Sequence, residues 1–149
     1  MSSEQSALEA VYRSSSLALT RLAYLLVGDR SEAEDIVQSV FASAVTRWPT
    51  IDEPSAYLRR AVVNRANDIH RRSHRAAPAV PSAGVIDEPA VDDTLRLVRA
   101  LPHPQRAVVV LRFYEDLSLT EIAALLDRPD ATVRSDLRRA LTKLRRSLT

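Results

Sequence analysis

Arg134, Ser135, Arg138 and Arg139 lie within the segment ATVRSDLRRALTKLRRSLT. On a helix, residues three and four apart are neighbours, so these four side chains share one face. Arginine can fork onto a guanine edge, and serine both donates and accepts. Thr132, one turn earlier, sits near a helix start, where free amides and the positive dipole end suit a phosphate. Arg145 and Arg146 further along suit phosphates too, contacts that position a helix without specifying sequence. The chemistry implied is recognition of duplex DNA. The plainer alternative is a helical hairpin with a solvated basic face.

A second cluster lies in AYLRRAVVNRANDIHRRSHR, residues 56–75, with six basic side chains against one acidic, a local charge of +5. Residues 128–149 carry seven against two, again +5, whereas the whole chain carries only +2. Residues 1–55 sum to −4, residues 76–95 to −4 and residues 96–127 to zero. Two basic blocks in an otherwise acidic or neutral chain suggest two contacts with one polyanion. His70 and His74 are four apart, as a metal pair would be, but no further ligand stands beside them, so no metal is expected. His103 reads as a helix-start residue. Cysteine is absent and there are only two glycines, which excludes disulfides, thiolate chemistry and glycine-rich phosphate loops. No Ser/His/Asp set or scaffolded carboxylate pair is visible. Neither catalytic residues nor a cofactor are expected, and the chain reads as a non-enzyme.

The periodicity of apolar residues supplies the elements that must hold these side chains. Leu8, Val11, Tyr12, Ser15, Leu19, Leu22, Ala23 and Leu26 mark a first helix over 6–27, which Gly28 ends. Ser31 with Glu34 reads as a capping box opening a second helix, whose inner face is Ala33, Ile36, Val37, Val40, Phe41, Ala44 and Trp48. A third helix starts near Pro54 and runs through Leu58, Ala61, Val62 and Ile69 into the basic stretch. Residues 76–90, AAPAVPSAGVIDEPA, hold three prolines and Gly84 and read as a flexible linker. Beyond it come a helix over 92–101, a helix from Pro104, a helix over 118–126 capped by Ser118 and Glu121, and a helix from Pro129 or Asp130. VVVLRFY has β propensity, but its helical surroundings favour helix. The last two helices are joined by DRPD alone, a helix-turn-helix spacing, which places the Arg134 face at a major groove.

The expected architecture is therefore all-α. Two small helical domains, 6–75 and 91–149, flank the 76–90 linker, and the second has four helices ending in the helix-turn-helix. No apolar run approaches the roughly 18 residues of a membrane span. The first residues, MSSEQSALEA, lack a basic-then-apolar leader pattern, so a cytoplasmic location and no membrane insertion are expected.

With these blocks in order, the chain resembles a sigma factor of the ECF (extracytoplasmic function) type, a small sigma-70 relative, from about Leu8 to Leu148. AYLLVGDRSEAEDIVQSVFASAVTRW is similar to the segment that docks on RNA polymerase. The 56–75 block resembles the promoter-melting and −10-reading segment. LPHPQRAVVVLRFYEDLSLTEIAALLDRPDATVRSDLRRALTKLR resembles the −35-reading domain. The resemblance implies that the chain directs core RNA polymerase to promoter DNA, and it implies several residue roles. Asp35, Gln38 and Phe41 match the polymerase-docking helix, although Phe41 also lies on the inner face and reads equally as core. Asn64 matches an asparagine beside a base extruded from the −10 element. Asp68 and Arg71 continue that motif, with Asp68 also suited to holding an arginine. Arg65, Arg71, Arg72 and Arg75 match the strand-backbone contacts. Thr132, Arg134, Ser135, Arg138 and Arg139 match the −35 reader. The family commonly adds an anti-sigma partner that masks the docking surfaces.

Three departures stand out. The family usually has glycine at the positions of Asp127 and Ala131. Aspartate tolerates a left-handed turn, and alanine implies an ordinary helical angle. Asp136 falls where relatives carry a basic or neutral residue. It either points away from DNA or accepts from a cytosine amine, and both readings stay open. Asp87, Glu88, Asp92 and Asp93 read either as a nucleic-acid mimic near the polymerase centre or as a solvated linker and helix start. Outside this family, the alternatives are a stand-alone helix-turn-helix regulator binding an operator unaided, and an adaptor gripping an acidic protein.

Overall fold

The computed structural model describes residues 2–76 and 93–148. Among them every regular element is helical, as the periodicity implies. They fall into two compact units, Met1–Ala77 and Pro78–Thr149. The expected linker, from residue 77 onward, with its acids Asp87 and Glu88, and Asp92 beyond it lie outside the described residues, as do the side chains of His74, Arg75 and Asp93.

The first unit contains α1 (Ser2–Val27), α2 (Arg30–Arg47), a 3-10 turn (Trp48–Thr50) and α3 (Pro54–Ala76). α1 begins at Ser2, four residues before the expected start at residue 6, because nothing in SSEQ opposes a helix. Gly28 ends it at φ 77°, donating its amide to the Tyr24 carbonyl at 2.8 Å. The Ser31–Glu34 capping box is not formed. Asp29 caps α2 instead, in extended backbone, accepting from the Glu32 amide at 2.9 Å. Glu34 reaches Arg30 at 3.4 Å, an exposed pair of little weight. Glu53 and Pro54 open α3, with the Tyr57 amide on the Glu53 carbonyl and Pro54 in a first turn that needs no donor.

The core of this unit joins Leu19, Leu22, Ala23, Leu25 and Leu26 of α1 to Ala33, Ile36, Val37, Val40, Phe41 and Ala44 of α2 and Leu58, Val62, Val63 and Ala66 of α3. Trp48, expected in that core, is only half-buried, because Pro49 turns the chain into the 3-10 turn before the ring reaches it. Tyr12 is likewise at the margin, 38% exposed.

The second unit contains α4 (Asp93–Arg99), α5 (His103–Val109), a π turn (Val110–Tyr114), α6 (Leu119–Leu126) and α7 (Asp130–Leu148). α4 is shorter than the expected 92–101. Arg106 takes over its exposed end, donating to the carbonyls of Arg99 at 3.0 Å and Leu101 at 3.3 Å. Burial, then the neighbouring Arg99 charge, pulls the Arg106 guanidinium below its usual range. α5 starts at His103, one residue before Pro104, because the Pro102 carbonyl already accepts from the Arg106 amide. The valine-rich run is helical, and Val108 to Leu111 are buried on every side, which removes the need for an alternating pattern, while Phe113 and Tyr114 at its end are exposed. It ends through the π turn, with Asp116 left-handed at φ 60° and the Leu117 amide closing on the Leu111 carbonyl at 3.0 Å.

Candidate nucleic-acid interface

α6 opens with the expected capping box. The Ser118 hydroxyl accepts from the Glu121 amide at 3.1 Å, and the Glu121 carboxylate accepts from the Ser118 amide at 3.0 Å. It closes at Asp127, left-handed at φ 54°, with the Arg128 amide on the Ala123 carbonyl at 3.0 Å. Aspartate thus fills the place that glycine usually takes. The Pro129 carbonyl then accepts from Thr132 and Val133, starting α7, with Ala131 inside the helix. Three residues separate the two helices, so α7 must leave at a steep angle.

Val133 and Ala140 of α7 are buried and Leu137 half-buried, while Thr132, Arg134, Arg138 and Arg139 are exposed and Ser135 is half-buried. The five predicted reading residues therefore share the outer side of one helix. The Thr132 amide is spent on Pro129 at 3.0 Å, so this residue offers its hydroxyl and not its amide. Asp136 is turned away from this outer side. It lies on the inner stripe, 8% exposed, and accepts from Arg128 Nη1 at 3.0 Å. Sequence reasoning missed Leu119 and Leu141, which with Arg134, Leu137, Arg138, Thr142 and Arg145 line a groove of about 220 Å³ along this face.

On α3, Asn64 and Arg65 are exposed, Asp68 is half-buried, and Arg71 and Arg72 are exposed. Arg71 Nη2 lies 3.2 Å from Asp68 Oδ1, so Asp68 does hold an arginine, through a solvated pair one turn apart. Asn64, Asp68, Arg71 and Arg72 recur at helical spacing and form one stripe. A cleft of about 360 Å³ opens beside the start of this helix, lined by Arg47, Thr50, Ile51, Asp52, Glu53, Ala56, Tyr57 and Arg60. Tyr57 and Arg60 were not singled out from sequence. Their spacing to Asn64, seven and four residues, was the signal available.

On α2, Asp35 and Gln38 are exposed, and Gln38 Nε2 donates to the Tyr12 hydroxyl at 3.2 Å. Phe41 is 6% exposed and meets the Tyr12 ring edge-on at 4.8 Å, so its side chain is core with one edge at the surface. Above it runs a groove of about 320 Å³ lined by Leu8, Glu9, Tyr12, Arg13, Gln38, Phe41, Ala42 and Val45. Val45, 53% exposed, was not foreseen as part of this surface.

Three carboxylates, Asp29, Glu32 and Asp35, crowd the first turns of α2. Burial, then the charges of Asp29 and Asp35, raises the Glu32 carboxyl above its ordinary 4.5. The folded chain holds this proton more tightly than the unfolded chain. Stability therefore falls as pH climbs from the ordinary value through the raised one, and no penalty exists below it. Glu32→Gln is expected to melt above the wild type at about pH 7, with the gap closing below about pH 4.5. Thermal melts at both ends of that window check it.

Among the described residues no helix is long and apolar enough to cross a membrane. A family model described as Sigma-70 region 2 matches residues 11–76, and one described as Sigma-70, region 4 matches residues 92–144. The RNA polymerase sigma-E factor of Streptomyces coelicolor is 36% identical over 143 residues, covering 88% of this chain and 80% of its own. The ECF RNA polymerase sigma factor SigM of Mycobacterium tuberculosis is 31% identical over 151 residues, covering 95% of this chain and 77% of its own. The fold is also similar to that of the sigma factor RpoE from Bartonella quintana, solved in complex with the anti-sigma factor NepR. That comparison has a TM-score of 0.69 at 20% identity, covering 99% of this chain and 98% of the other. By its relatives, its two matched regions and its all-helical fold, this chain belongs to the ECF sigma factors of the sigma-70 family.

Proposed function

We propose that the chain directs core RNA polymerase to specific promoters and initiates transcription there. Residues 6–75 dock on the polymerase and open the −10 element, residues 91–149 read the −35 element, and residues 76–90 join the two. The observation that carries this reading is the outer side of α7. Its arginines are turned to solvent while the one carboxylate among them is turned inward. The exposed α3 stripe supports the second contact, in which Asn64 takes an unstacked base edge and Arg65, Arg71 and Arg72 take the strand backbone, with Arg75 assigned to the backbone from sequence alone. Asp35 and Gln38 offer polar contacts to the polymerase. The chain supplies recognition and the polymerase supplies catalysis, so its place of work is the cytoplasm. An anti-sigma factor covering the α1–α2 groove is a further expected partner, and co-purification from the native host tests for it.

The decisive experiment adds the purified chain to core polymerase with a pool of genomic promoter fragments and sequences the transcripts. Initiation from a defined promoter set supports the proposal. No initiation from any fragment, together with no binding to core, sinks it. Tight operator binding by the chain alone would favour a stand-alone regulator instead.

Arg134 carries the next expectation. Arg134→Ala should weaken holoenzyme binding to those promoters by about 1–3 kcal/mol, roughly tenfold to a hundredfold, at fixed salt. Equal affinity for both proteins would remove Arg134 from the reading face.

A further inference from the structure

Arg128 is fastened at both ends. Its amide closes α6 on the Ala123 carbonyl at 3.0 Å, and its guanidinium reaches Asp136 in the second turn of α7 at 3.0 Å. The side chains of the pair are 19% and 11% exposed, so the contact lies largely out of water, between Val133 and Ala140 on the buried stripe. Between its two anchor points the chain makes the whole turn from α6 to α7. The apolar contacts of α7 are non-directional and tolerate a rotation of the helix. A charge-assisted hydrogen bond fixes both distance and angle.

The lever explains why this matters. Arg138 lies eight residues past Pro129's neighbour Asp130, about 12 Å along the helix. A swing of about 15° at the turn moves it by about 3 Å, a whole hydrogen-bond length. Base-edge contacts do not survive such a shift, whereas phosphate contacts by long arginines do.

From this geometry we infer that Arg128 and Asp136 form a brace that sets the angle of α7 for sequence reading, and that Arg128 is thereby withheld from the DNA phosphates. Both are positioning residues. The inference rests on α7 being the −35 reader. It also accounts for a carboxylate at position 136, which faces Arg128 and not the outer side of α7.

The test uses reconstituted holoenzyme and two DNA probes, the strongest promoter from the initiation experiment and the same fragment with its −35 element scrambled. The readout is the ratio of the two affinities, followed over a salt series. Arg128→Ala and Asp136→Ala should each cut that ratio about tenfold. In Arg128→Ala, affinity for the scrambled probe and the salt slope should stay as in wild type, whereas in Asp136→Ala the released Arg128 should leave them equal or higher. Asp136→Asn, which keeps an oxygen for the Arg128 N–H, should retain most of the ratio. Thermal melting confirms folding at the assay temperature. If an alanine variant melts below it, Arg128→Gln carries the comparison, and its shorter neutral side chain is expected to give a ratio between wild type and the tenfold loss.

A loss on both probes alike, with the salt slope reduced by about one in Arg128→Ala, marks Arg128 as a phosphate contact and overturns the brace. An unchanged ratio in the brace variants overturns it as well. Arg134→Ala separates the two levels of argument. If it lowers the ratio while the brace variants do not, the brace alone is wrong. If it too leaves the ratio intact, the −35 reading of α7 has failed.

Discussion

Asn64→Ala should slow promoter opening by roughly tenfold to a hundredfold while leaving initial holoenzyme binding nearly unchanged. The side chain is exposed on α3, in register with Asp68 and Arg71 and one turn beyond Arg60 at the rim of the adjoining cleft. A carboxamide carries two donors and two acceptors, which is what the edge of an unpaired base requires. A good contact of that kind contributes about 1–3 kcal/mol, hence the size of the rate effect. It forms only once the base has left the stack, so its loss falls on opening and not on encounter. The arginines beside it behave differently. Arg72→Ala removes a charge from the strand path and should show up in the salt dependence of binding. Permanganate reactivity of the −10 thymines, followed in time, reads opening directly. A fragment already mismatched at −10 should restore the variant to nearly wild-type initiation, because unpairing is then supplied by the template. An Asn64→Ala holoenzyme with an unaltered permanganate time course would falsify the assignment.

Much of the frame that holds these residues is legible in the chain itself, because it depends on short-range rules. Apolar spacing gave seven helices and their inner faces, and a residue such as Ile122 or Val133, fully buried, is recoverable from its stripe alone. Caps were harder. DRSE and SEAE overlap between Asp29 and Glu34, and both fit a cap followed three residues later by an acid. Gly28 breaks the tie, since it ends α1 so close that Asp29 is already in extended backbone and ready to cap. Trp48 failed for a similar reason, because one proline redirected the chain before the stripe was complete.

The site shows the other limit. Arg134, Arg138 and Arg139 could be placed outward because their neighbours on the stripe are apolar. Asp136 could not be placed, since its partner Arg128 lies across a turn and spacing on a single helix does not reveal it. Tyr12 escaped in the same way. Its hydroxyl accepts from Gln38, 26 residues later in the chain. Local patterns report which face a residue occupies, while the partner it finds there depends on how two helices cross. Asp127 is an intermediate case. Its left-handed backbone was anticipated from the glycine expected at that position, and a short polar side chain bears that conformation at modest cost.

Phe41 is where the two kinds of information meet, and Phe41→Ala should show it. A phenylalanine with 6% exposure, locked edge-on against Tyr12 at 4.8 Å, contributes mainly by filling the space between α1 and α2. Truncating such a side chain costs about 3–5 kcal/mol. A helical unit of this size is stable by roughly 4–12 kcal/mol in all. The variant should therefore lose a large part of its stability, with the first unit partly unfolded near 37 °C or about ten degrees above it. Core-polymerase binding should fall in step with the folded fraction and recover on cooling. Asp35→Ala and Gln38→Ala have the opposite signature. Both positions are exposed, so melting should change by no more than about 0.5 kcal/mol while affinity for core polymerase drops at every temperature. Calorimetry on the three variants, paired with core-binding titrations at two temperatures, distinguishes a residue that shapes the docking surface from residues that belong to it. If Phe41→Ala melts like the wild type yet binds core weakly, its ring touches the polymerase directly and the packing argument is wrong.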